Sequence, residues 1–170
     1  MRKPSFWAAY LLLLLAQLLL SNFFNLTPYL MLSILPVMVL CISIRVGTVG
    51  AMLIAFATGL TVDLLSEGIL GLNAFALVPV AFLRNSIIGL IFGNELFARG
   101  EDFSPRKNGL WKAVLATVRA QAAFTLLYVL ADGAASRPFW FDAARFAASL
   151  VAGTLLSLAC LPSLAPDTRK

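Results

Sequence analysis

Histidine is absent from the 170 residues, and cysteine occurs twice. The first absence removes histidine bases, histidine-ligated metals and histidine-dependent nucleophilic triads together. The second leaves too few thiols for a disulfide framework or a cysteine metal site. Cys41 and Cys160 both fall in apolar runs and read as small buried hydrophobes. Charge is scarce as well. Asp, Glu, Lys and Arg make up 12% of the chain, about half the share of a soluble domain. No DxxxD, HExxH or GxSxG motif occurs, and the acidic residues are scattered between the two ends of the apolar runs. General acid–base chemistry wants two titratable groups on one substrate, so the expectation is no catalytic residue, no metal and no cofactor.

What the chain has in abundance is apolar surface: 61% hydrophobic residues and a mean hydropathy of +0.91. A water-soluble globule of this size could not hide that much, so lipid must solvate part of it. A β-barrel would need strands of about ten residues with alternating polarity. Runs such as LLLLLAQLLL are continuous instead. The predicted fold is an all-α integral membrane bundle of six transmembrane helices, with residues 1–170 as one transmembrane domain. The expected spans are 5–24, 28–44, 47–66, 70–93, 110–132 and 141–161, each near the length a bilayer requires. Arg2 and Lys3 ahead of the first span resemble a signal peptide, but LLLSNFF lacks a small-x-small cleavage site, so a retained anchor is expected. Pro28 suits the first turn of span 2. Pro36 and Pro79 should kink spans 2 and 4.

With the N-terminus inside, nine of the 13 basic residues fall on the cytoplasmic side: Arg2, Lys3, Arg45, Arg99, Arg106, Lys107, Lys112, Arg169 and Lys170. Arg137 and Arg145 lie outside, and Arg84 and Arg119 lie within spans. The positive-inside rule then puts both ends in the cytoplasm. This bias accounts for the net charge of +5; it calls for anionic inner-leaflet lipid and for no nucleic acid. Trp111 and Trp140 suit interfacial anchors at opposite faces.

Span 3 carries small residues at fourfold spacing, Gly47, Ala51, Ala55 and Gly59, ending in Asp63. Span 4 carries Ala81, Asn85, Gly89 and Gly93. Such faces let another backbone approach closely, either within the chain or from a partner helix. A carboxylate this deep usually faces a partner group. Asn73 and Arg145 are the candidates, as a polar clamp on the 3–4 hairpin; a ligand-binding carboxylate or a proton carrier is the alternative, although no further carboxylate forms a relay. Arg84 and Arg119 are expected to snorkel to the inner headgroups, to pair with Glu95, or to contact a lipid phosphate.

The stretch GLTVDLLSEGILGLNAF, residues 59–75, resembles the signature of the rod shape-determining MreD family. The matching residues are Gly59, Asp63, Leu64, Leu65, Leu70, Gly71 and Ala74. The resemblance implies a non-enzymatic scaffold of the bacterial inner membrane, a subunit of the machinery that elongates the cell wall. It implies an MreC-like bitopic partner, and through it the wall synthases and an actin-like MreB protein. It also implies a fold similar to the substrate-binding subunits of energy-coupling-factor vitamin transporters, which supplies the alternative function. Against that alternative, span 1 (YLLLLLAQLLL) is bulky where those subunits carry small residues, and the outer loops are sparse in aromatic and polar groups.

Overall fold

The computed structural model describes residues 4–23, 31–67, 70–93, 109–133 and 138–164. Within these, all regular structure is helical: α1 (Pro4–Phe23), α2 (Leu35–Leu40), α3 (Gly47–Val62), α4 (Leu72–Phe92), α5 (Leu110–Gly133) and α6 (Phe139–Leu164). Five of them, all but α2, are long and apolar enough to cross a membrane. Their outward faces are lined with exposed Leu11, Leu15, Leu53, Phe56, Phe82, Leu90, Leu126 and Leu155. Water would not tolerate so wide an apolar surface; hydrocarbon solvates it at no cost.

The expected six-helix bundle is corrected at span 2. Residues 31–34 have no regular structure, α2 is six residues long, and a turn at Ile44–Val46 follows. The five long helices form a ring in the order α1, α3, α4, α5, α6, with α6 closing onto α1, and α2 touches all five. Every residue from Ile34 to Ile42 is buried. An apolar count therefore placed this segment in lipid when it belongs in the protein's centre. Pro36 opens α2, where its missing N–H costs nothing, instead of kinking a long helix. Pro79 does lie inside α4. Pro28 and the rest of residues 24–30, 94–108 and 134–137 lie outside the described residues.

Non-helical backbone at membrane depth persists only where protein satisfies it, and here side chains do so one by one. The Gln17 amide on α1 donates to Leu32 O (3.1 Å) and accepts from Ile34 N (2.8 Å). Ser149 Oγ on α6 accepts from Met31 N (2.9 Å). Gln121 on α5 donates to Ser33 O (3.3 Å) and accepts from Ser157 Oγ (3.4 Å). At the far end Arg84 of α4 donates to Ile42 O (2.9 Å). The segment thus runs back from the level of Gln17 towards the start of α3.

Candidate functional site

Asp63 follows α3 and opens a wide turn of π type, Asp63–Glu67. Gly71, in the left-handed region at φ 93°, reverses the chain and becomes the N-cap of α4. A helix start leaves its first N–H groups without intrahelical acceptors. Asp63 supplies them. One carboxylate oxygen accepts from Asn73 N (3.0 Å) and the Asn73 amide (2.9 Å). The other accepts from Gly71 N (3.0 Å) and Ala74 N (3.2 Å). The group is fully buried, so its negative charge at the N-terminus of α4 acts with little water to screen it.

The second half of the hairpin is steric. A Cβ on Gly59 would lie 2.5 Å from Ala74 Cα and 2.6 Å from Ala74 N. Only a glycine lets α3 approach α4 so closely, and this closeness brings Asp63, one turn on, within reach of the α4 N–H groups. At the other end of the same pair, the Asn85 amide donates to Thr48 Oγ1 (3.0 Å).

The residues singled out in the sequence divide accordingly. Gly59, Asp63, Gly71 and Ala74 form one unit, while Leu64, Leu65 and Leu70 stand exposed at the hairpin tip. Asn73 meets Asp63. Arg145 does not; it pairs with Asp132 on α5, with its guanidinium 5.8 Å from the Tyr128 ring centroid. Ala51, Ala55 and Ala81 are fully buried, with α3 and α4 packed on each other. That face is consequently closed to an outside helix. Gly47 and Gly93 sit exposed at helix ends with positive φ, and Gly89 is half-buried.

Arg84 needs correction too. It is fully buried and reaches Ile42 O and Asn85 Oδ1 (3.4 Å), so it neither snorkels nor meets lipid. Its positive charge lies just past the C-terminal end of α2, where carbonyls are left over. Arg119 is exposed on α5. Glu95 lies outside the described residues. Trp111 and Trp140 are both exposed, at the starts of the antiparallel α5 and α6. Among the described residues no cluster of Cys, Asp and Glu is arranged to hold a metal.

Sequence reasoning passed over Gln17, Ser33, Gln121 and Ser149. The signal was present: glutamine inside LLLLLAQLLL and VRAQAAF is a polar amide in an apolar run, and such a group has to have a partner.

Fold and site together define, among the described residues, an all-helical arrangement with five membrane-length helices, built round a broken central segment and a carboxylate-capped hairpin. Compared with known proteins, the chain matches no family model, no curated protein and no solved structure.

Proposed function

We propose that the protein is a non-enzymatic scaffold of the bacterial inner membrane, an MreD-type subunit of the machinery that elongates the cell wall and keeps the cell rod-shaped. Its direct partner is an MreC-like bitopic protein, and both termini face the cytoplasm. The observation that carries this reading is the division of labour within residues 59–75. Gly59, Asp63, Gly71 and Ala74 are used up in holding the hairpin together, so the motif has a structural meaning as a unit. Leu64, Leu65 and Leu70 contribute nothing to that hold and stand about 60% exposed or more. A tip that presents three leucines suits a partner's helix. Asp63 has no acceptor to spare for a ligand without releasing α4. The vitamin-transporter alternative would need an opening where Ile34–Ile42 now fills the ring.

The test is co-purification with an MreC-like partner, comparing wild type with the Leu64→Ala, Leu65→Ala double variant. The variant is expected to melt in detergent as wild type does and to recover about tenfold less partner. Full recovery at unchanged stability would remove the tip from the interface. Failure of the wild type to retain such a partner would sink the scaffold reading itself.

A further inference from the structure

We propose that the start of α5 and the end of α4 form a binding site for one anionic phospholipid, its headgroup phosphate held between Lys112 and Arg119. This stands independently of the scaffold reading. Arg119 is exposed nine residues into α5, about 14 Å along the axis. A cation facing hydrocarbon at such depth is costly and is usually found facing a counter-charge or water. Among the described residues it makes no ion pair. Arg84, also within a span, has its carbonyl acceptors inside the protein; Arg119 points away from that interior.

Lys112 lies seven residues, or about two turns, towards the helix start on the same face. It is exposed too, and its ammonium sits 6.0 Å from the centroid of the Phe92 ring at the end of α4. In a helix the Cα–Cβ bonds tilt towards the N-terminus, so Arg119 leans towards the level of Lys112 and the membrane surface. Exposed Trp111 marks that level, and exposed Leu115, between the two cations, offers acyl chains a surface. A phosphate between the two cations would satisfy both. A zwitterionic lipid carries its own ammonium and would gain less.

The experiment uses the full chain in detergent, with native mass spectrometry of phosphatidylglycerol and phosphatidylcholine added separately. The expected result is a single tight phosphatidylglycerol adduct on wild type, weakened about fivefold by Arg119→Gln or Lys112→Gln, the effect of one basic group near an anionic surface. Arg45→Gln, an exposed cation elsewhere on the chain, should leave it unchanged. Equal binding of the two lipids by wild type would overturn the proposal even if the α5 variants fail to fold. So would a loss with Arg45→Gln as large as that with Arg119→Gln.

Discussion

The α3/α4 and α5/α6 hairpins are both antiparallel, and each places an aspartate near the same end of its first helix. They are held together by different means. In α3/α4 the contacts are backbone: Gly59 lies against the main chain of Ala74, and Asp63 accepts from main-chain N–H groups as well as the Asn73 amide. In α5/α6 they are side chain on side chain. Asp132 pairs with Arg145, Gln121 accepts from Ser157, and a Cβ on Gly153 would strike the Gln121 amide instead of a backbone. A side chain can swing aside, whereas main chain inside a helix cannot. The first hairpin should thus be brittle and the second forgiving.

Gly59→Ala is the largest test of that difference. Overpacking usually costs about 1–3 kcal/mol, and here the obstructing atoms are backbone, so the effect should sit at or above the top of that range. It is read as a steep fall in melting temperature in detergent. A variant that melts like wild type would mean α3 and α4 are not so close. Asp63→Ala comes next. It strips the N–H groups at the start of α4 of their acceptor, and buried donors cost about 1–3 kcal/mol each when orphaned. Partial relief from water should bring the total to about 3 kcal/mol. Asp63→Asn keeps one acceptor oxygen and should recover roughly half of it, whereas equal stability of the Ala and Asn variants would show that the carboxylate caps nothing. Gly153→Ala is the mild counterpart. Gln121 can move, at the loss of its bond to Ser33 O, so about 1 kcal/mol is expected. If Gly153→Ala destabilises as much as Gly59→Ala, the contrast between the hairpins is wrong.

Much of this architecture was legible beforehand. Composition gave the membrane class, and five of the six spans fall within a few residues of the observed helices. Span 2 failed because a segment buried in protein and one buried in lipid have the same apolar content. Its polar partners, Gln17, Gln121 and Ser149, are remote in sequence, so no local window reveals them. Asn73 was legible as a partner of Asp63, because both flank one short turn. Arg145 was not excluded by depth alone; Asp132 on the neighbouring helix took it. The inward setting of Arg84 could have been read from its spacing: it lies eleven residues, about three turns, from Asn73 and shares its face. Nothing comparable distinguished Arg119, whose outward setting depends on how α5 is rotated in the ring.

The broken central segment also constrains how the molecule comes into being. Met31 and Ser33 are made early by the ribosome, but their hydrogen-bonding partners, Ser149 and Gln121, emerge roughly a hundred residues later. Until α5 and α6 have been inserted, the peptide groups around Ser33 lack their final partners, and a nascent chain stopped after α4 has no means of closing its own middle. Assembly is therefore completed only when the last helix arrives, and a truncated product is left with an interior that invites quality control.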